Sequence, residues 1–357
     1  MPGDQQQVES STTTPSFRRR SFLGALAVSS VGLAGCLGDD DVSLVSADYM
    51  ADTHPVRDAG IIPFLDRIEE EYDGELEIDD QPGEALGGAS EIPDLIQRET
   101  ASMGVVSPNH APDLFSLTGV AELPGLFDST SVGAEALYRL FDPEEEGILY
   151  EEELREQDIR PLFVGLWPPY QIFSSTEDSI VSLADWDGRS VRSGGGIMDT
   201  TISELGGTPV EMASAEIFTS MEQGIIDSSV GPIAAVPSLD LDELLHSFST
   251  NLSLGSFVFL YGINIDIYEG LPSELQELLD ETGRDITTSM AEAIDGLNDN
   301  LMAQFGDAPD IDAYEVPADE LDEINAVLAD VEDIWVDQHG EDAADILAEY
   351  RSHLDDI

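Results

Sequence analysis

One stretch of this chain limits the folds open to it. From Leu271 to Phe305 the apolar residues Leu275, Leu278, Leu279, Ile286, Met290, Ala293, Ile294, Leu297 and Leu301 recur on one side of a helical pattern that Pro272-Ser273 opens. At 1.5 Å per residue such a helix runs ~50 Å, well beyond the ~30 Å of a small domain. It is long enough to cross between two lobes, and Gly283 and Gly296 are expected to bend it.

Upstream of it, strand and helix signals alternate. Val42–Ala47, Leu76–Ile78, Met103–Val106 and Pro161–Leu166 read as strands, with amphipathic helices at Ala59–Tyr72, Ser90–Gln97 and Val132–Phe141 between them. The second half repeats this grammar. Gly188–Arg192, Thr208–Met212, Ile225–Val230 and Phe257–Asn264 read as strands, with a helix from the Gly194–Gly196 run to about Leu205 and another from a capping Ser214 to Gln223. Helices at Ala318–His339 and Glu341–Asp355 close the chain. The alternation predicts an α/β fold with a largely parallel sheet in each half.

Charge defines the setting. The 357 residues carry 75 Asp and Glu against 13 cations, all of them Arg, for a net charge of −62. Such self-repulsion opposes compaction in dilute solution, and molar salt, with a Debye length of roughly 3 Å, relieves it. The 41% of hydrophobic residues supply a sizeable core, so this is not a disordered acidic tail. The composition is that of a halophilic, haloarchaeal protein. Nucleic acid is excluded as a partner, because gripping phosphates needs clustered cations.

The N-terminus carries an address. Arg18-Arg19-Arg20-Ser21-Phe22-Leu23 resembles a twin-arginine export signal, and the apolar run Phe22–Gly35 is too short for the roughly 20 residues of a membrane-spanning helix. Leu33-Ala34-Gly35-Cys36 resembles a lipobox. Cys36 is the only cysteine, so no intramolecular disulfide forms and its expected use is a lipid anchor. We expect a signal peptide over 1–35, an acidic tether over 36–41, and work on the extracytoplasmic face of the membrane.

No G-x-S-x-G elbow, P-loop, H-E-x-x-H, C-x-x-C or dinucleotide fingerprint is present. The five His are scattered, and the Gly194–Gly196 run lacks the downstream Gly-Lys-Ser/Thr of a phosphate loop. Neither an enzyme nor a cofactor is expected. An exported two-part α/β chain with a crossing helix describes a receptor that closes around a small molecule.

Here the sequence resembles the solute-binding proteins of tripartite ATP-independent periplasmic (TRAP) transporters, in the DctP-type branch. The resemblance runs from about Ser46 to Leu347. It is carried by His54-Pro55, Pro82-Gly83 with Leu86-Gly87, Leu123-Pro124-Gly125-Leu126-Phe127, Leu183–Gly188 followed by Val191-Arg192, Leu205–Val210, Ala215–Phe218 through Asp227, and Asn264 ahead of Leu271-Pro272, in that order. It implies a two-lobed, type II periplasmic-binding-protein-like fold. Residues 42–166 with about 255–285 would form lobe I and 167–254 with about 286–357 lobe II, linked by crossing strands and the long helix. The implied function is capture of a small organic anion in the interlobe cleft and delivery to small and large TRAP permease subunits. A receptor for an ATP-driven importer and a non-binding surface lipoprotein are the alternatives.

The resemblance assigns Arg192 to clamping the ligand's carboxylate, a role that suits a planar two-pronged donor. On a strand, Arg189 and Arg192 point to opposite faces, so one of them enters the cleft. Asn264 is expected to support the site or the hinge. Where many relatives carry a second Arg in the hinge-crossing strand, this chain has Trp167-Pro168-Pro169-Tyr170-Gln171. Trp167 and Tyr170 are candidates for a flat wall or for hinge packing. His54, Asn109 and His110 are candidates for contacts from facing loops, and Ser214 stands where relatives place an aromatic residue. Glu216 and Asp227 occupy the region where some relatives hold the ligand through a metal ion.

Overall fold

The computed structural model describes residues 41–357; the expected signal peptide, Cys36 and the rest of the tether before Asp41 lie outside the described residues. The first strand, β1 (Asp41–Ala47), is followed by β2 (Glu75–Gln81), β3 (Met103–Val106), β4 (Ile159–Leu166), β5 (Gln171–Ser174) and β6 (Ser190–Ser193). Then come β7 (Thr208–Glu211), β8 (Ser228–Gly231), β9 (Ser247–Ser249), β10 (Val258–Asn264) and β11 (Asp312–Tyr314). One sheet has the order β2-β1-β3-β10-β4, the other β11-β9-β5-β8-β6-β7.

Both sheets are mixed, which corrects the expectation of largely parallel ones. β10 runs antiparallel to β3 and β4, and β5 runs antiparallel to β8 and β9. These are the strands that enter each sheet from the other lobe, so their direction follows from the crossing rather than from a β-α-β connection. Helices cover both faces of each sheet. In the first sheet Phe163 stacks on Tyr261 at 5.0 Å between ring centroids, with Phe64 tilted against Phe163 and edge-on to Tyr261. In the second, Trp186, Val191 and Ile202 pack on one face and Phe173, Ile217 and Phe248 on the other.

Four connections join the lobes. β4 leads into β5 through Trp167–Tyr170, and β9 returns to β10 through residues 250–257. These two crossings are bonded to each other: Trp167 N donates to Phe257 O at 3.0 Å, Tyr170 N to Gly255 O at 2.9 Å, and Leu254 N to Tyr170 O at 3.0 Å. The buried Gln171 amide adds a staple, donating to Leu252 O at 2.5 Å and accepting from Leu252 N and Ser249 Oγ.

The third connection is the long helix, Ser273–Gly306. Its early residues Leu275, Leu279 and Met290 pack in lobe I, and Phe305 packs in lobe II. Gly283 has a packing role. A Cβ there would lie 1.9 Å from Leu162 O, so the glycine lets the helix press against the β4 backbone. Gly296 has open space beside it. The fourth connection is the helix Ala318–His339, which places Ile324 and Leu328 in the lobe II core and Val331 and Trp335 in lobe I.

The residues expected in lobe II, 286–357, therefore divide between the lobes. The final helix, Glu341–Asp355, packs on lobe I beside Thr130–Phe141, where Tyr350 Oη donates to Gly133 O at 3.0 Å. Its apolar stripe of Ala343, Ile346, Leu347 and Tyr350 matches the face that Ala134, Leu137 and Phe141 leave uncovered. No helix among the described residues is long and apolar enough to cross a membrane.

Candidate functional site

Between the two sheets lies a cavity of about 510 Å³, floored by the crossing segments. Arg192, Trp167, Tyr170, His54, Asn109, His110 and Ser214 all line it. Asn264 does not. Its side chain is buried at the far end of β10, where it caps the helix Ile265–Gly270 by accepting from Ile267 N at 3.0 Å and donates to Ile96 O at 3.1 Å. The end of an apolar strand is also the start of a helix here, and an Asn at that junction serves the orphan amides. Ser214 is likewise not the cap of its helix: it is the first residue of the helical turn Ser214–Glu216, and the cap position is Ala213, whose N–H donates to Glu216 at 3.2 Å.

Arg192 reaches the cleft from β6, on the side of the strand opposite to the buried Val191 and Ser193. Its Nη2 donates to Met212 O at 3.1 Å and to Ser214 Oγ at 3.3 Å, and its Nε to Met212 O at 3.3 Å. Arg189 sits outside the cleft, against Asp185 O, Thr176 Oγ1 and, at 3.9 Å, Asp227. Burial lowers the Arg192 pKa, with Tyr170 pulling the other way. Among the described residues Arg192 is the one Arg, exposed Arg284 aside, with no carboxylate within ion-pair distance. In a chain this acidic, a guanidinium left facing neutral oxygens is held apart from carboxylates by its surroundings.

The wall beside Arg192 is bare backbone. Gly195 and Gly196 take φ of +94° and +63°, and Gly195 N donates to Ser193 Oγ at 2.8 Å. Only glycine adopts these angles without strain, and the absence of side chains lets a bound molecule approach closely.

Lobe I supplies the opposite wall from three loops. The first carries Tyr49, Met50, Ala51 and His54. It is anchored behind by the buried Arg57, which donates to Asp48 and Asp80 at 2.5 Å each, while Asp48 accepts from Met50 N at 2.7 Å. His54 stands edge-on to Trp167 at 5.9 Å and takes the Val56 N–H on Nδ1. Burial, helped by Arg57, lowers its pKa and favours the neutral ring. The second loop carries Asn109 and His110, with His110 between Tyr49 and Phe257.

The third loop carries Glu122, a cleft residue that sequence reasoning missed. It is one of 75 acids and has no spacing signal of its own. It ends the short helical turn Thr118–Glu122, which Glu153 pins by accepting from Leu117 N, Thr118 N and Thr118 Oγ1. Burial pushes the Glu122 carboxyl up to about 7, against the opposing bond from Val258 N at 3.4 Å. Glu122 also lines a second cavity of about 440 Å³ that continues past Gly194 and Ile197 to Trp335 and His339.

Trp167 and Tyr170 serve the hinge and the cavity together: both pack in hydrophobic cores while lining the cleft. Glu216 and Asp227 are spent locally, Asp227 on Ser190 N and Ser228 Oγ, and neither lines the cavity.

The chain is similar to known proteins over most of its length. The ectoine-binding periplasmic protein TeaA of Halomonas elongata is 24% identical over 191 residues, covering 53% of this chain and 56% of that protein. The chain thus spans about half the length of the curated relatives it matches first. A TRAP periplasmic solute-binding protein from Desulfovibrio salexigens superposes with a TM-score of 0.78 at 20% identity, covering 88% of this chain and 96% of that one. A TRAP solute-binding protein from Rhodoferax ferrireducens, in complex with copurified benzoate, gives 0.75 at 21% identity, covering 88% and 98%. These structures share the two-lobed fold. The family model for bacterial extracellular solute-binding protein, family 7 (DctP) matches residues 46–337, and the chain belongs to that family.

Proposed function

We propose that this chain is the extracytoplasmic receptor of a TRAP-type secondary transporter and that it captures a small organic acid in the interlobe cleft. The observation that carries the reading is Arg192, a guanidinium without a carboxylate partner facing a cavity walled by Trp167, Tyr170 and bare glycine backbone. A bidentate carboxylate completes that donor set, and the aromatic residues take the organic body. In a partly desolvated cleft the pair keeps its strength in molar salt better than a surface pair does. Family membership and the ligands held by relatives, benzoate and ectoine, support the class of solute.

His54, Asn109, His110 and Ser214 complete the proposed contact set. The partners are the membrane subunits of the transporter, and neither ATP hydrolysis nor catalysis enters. The Arg18–Leu23 signal and Cys36 support export by the twin-arginine pathway and a lipid anchor, and the charge supports a haloarchaeal source. Loss of membrane retention in Cys36→Ser, measured by cell fractionation, is expected; retention equal to wild type overturns the anchor.

A thermal-shift screen in molar KCl against carboxylates, sugars and amino acids tests the receptor. A solute at a hundred times its Kd adds about 2.7 kcal/mol of stability. A shift from carboxylates that disappears in Arg192→Ala is expected. A shift retained in Arg192→Ala overturns the clamp, and binding of neutral sugars alone overturns the organic-acid class.

A further inference from the structure

Glu122 is a second charge in the same cavity as Arg192, supplied by the opposite lobe. Like Arg192, it has no oppositely charged partner: among the described residues its carboxyl meets one backbone N–H, from Val258 at the long distance of 3.4 Å. Five aromatic residues, Tyr49, Trp167, Tyr170, Phe173 and Phe257, line the space the two share. We propose that the cleft selects zwitterions, with the solute's carboxylate on Arg192 and a cationic nitrogen of the same solute between Glu122 and the aromatic rings. This rests on the organic-acid reading above and narrows its class.

The electrostatics favour it over a simple anion. An anion held by Arg192 brings a second negative charge into a desolvated space that already holds Glu122, and closure removes the water that would screen the two. Either Glu122 takes up a proton or the closed state is penalised. A zwitterion leaves no net repulsion: each lobe meets the end of the solute that carries the opposite charge. Aromatic rings favour the same arrangement, since a cation over a ring is attracted by its quadrupole and an anion is not. The burial that pushes the Glu122 carboxyl upward is the cost of an acid without a cation beside it. Because Glu122 and Arg192 belong to different lobes, a zwitterion also ties one lobe to the other, so the charge pattern itself promotes closure.

Matched pairs of probes test this in molar KCl by calorimetry: proline with pyroglutamate, 4-aminobutanoate with butanoate, and 3-(aminomethyl)benzoate with 3-methylbenzoate. Within at least one pair, wild type is expected to bind the zwitterion tenfold or more tighter. Glu122→Gln keeps an oxygen for Val258 N, and its fold is checked by circular dichroism. It is expected to weaken the zwitterion tenfold or more and leave the matched anion equal or tighter. Preference for the anion in wild type, or a zwitterion-to-anion ratio unchanged in Glu122→Gln, overturns the proposal. If Arg192→Ala abolishes binding while that ratio is unchanged, the zwitterion assignment fails and the organic-acid receptor stands. If none of the probes binds wild type, the organic-acid reading fails with it.

Discussion

Arg57 and Arg192 are both shielded guanidiniums facing the same cleft region, one from behind its wall and one from within it. Arg57 is paired twice, with Asp48 and Asp80 at 2.5 Å, and Tyr261 reaches the cluster through Ser46 at 2.7 Å. Arg192 has three bonds, all to neutral oxygens. The two sites use one side chain in opposite ways. A cation whose charge is matched inside the fold holds backbone in place. A cation offered only dipoles keeps its charge for something that arrives from outside. In a protein with more than five acids for every base, the shielded Arg192 is kept from carboxylates by a wall of glycine backbone, serine and aromatic rings.

The comparison can be broken first at Arg57. Removing one partner of a buried ion pair leaves the other charge uncompensated, so Arg57→Ala is expected to cost about 3–5 kcal/mol of stability in chemical denaturation. A loss below 1 kcal/mol would show that the cluster is not structural. Glu122 provides the next test, through pH. Its carboxyl is raised from 4.5 in the unfolded chain to about 7 in the fold, so the folded state holds the proton more tightly. The resulting stability is present below pH 4.5 and is lost as pH rises through 7. The unfolding free energy of wild type should therefore fall relative to Glu122→Gln by about 3 kcal/mol across that window. Parallel pH profiles would place Glu122 in water instead.

Arg192→Ala sharpens the contrast directly. A hundredfold loss of carboxylate affinity, about 2.7 kcal/mol, is expected together with a change in unfolding free energy within about 1 kcal/mol. Destabilisation as large as that of Arg57→Ala would erase the distinction between the two guanidiniums. The smallest effect belongs to Asn264→Ala. Loss of a helix cap costs about 1 kcal/mol, with solute affinity unchanged; a tenfold change in affinity would return Asn264 to the site.

Much of this architecture was legible because its signals are local. The helices Ala318–His339 and Glu341–Asp355 and the strand Met103–Val106 occur with the expected bounds, since their periodicity and end signals lie within each segment. The strands Gln171–Ser174, Ser247–Ser249 and Asp312–Tyr314 were not. They are three or four residues long, and pairing with distant partners, not composition, makes them strands. The cleft divides in the same way. Arg192 stood out as a rare cation in a recognisable segment. Asn264 was misplaced because a polar residue ending an apolar strand fits a binding role and a capping role equally well in one dimension. Glu122 was invisible because acidity carries no information in a chain saturated with it. What separates it from the rest is its place in the cleft with a single long N–H contact, from Val258, and no cation beside it.

The helix Ala318–His339 has its side chains in two cores, and this bears on how the lobes can move. A strut embedded at both ends cannot slide freely: any rotation of one lobe must tilt it within the packing of the other. Close-packed cores resist small graded displacement and tolerate a change of interlocking instead. With two bonded strands as the axle and two helices as stays, the linkage leaves rotation about one axis as the soft direction. Exchange between two discrete lobe positions, rather than a continuous swing, is the expected outcome. Single-molecule energy transfer across the cleft should accordingly resolve two discrete distances, and a single broad distribution that drifts with solute concentration would contradict it. In the transport role proposed above, the membrane subunits are then expected to meet a binary signal.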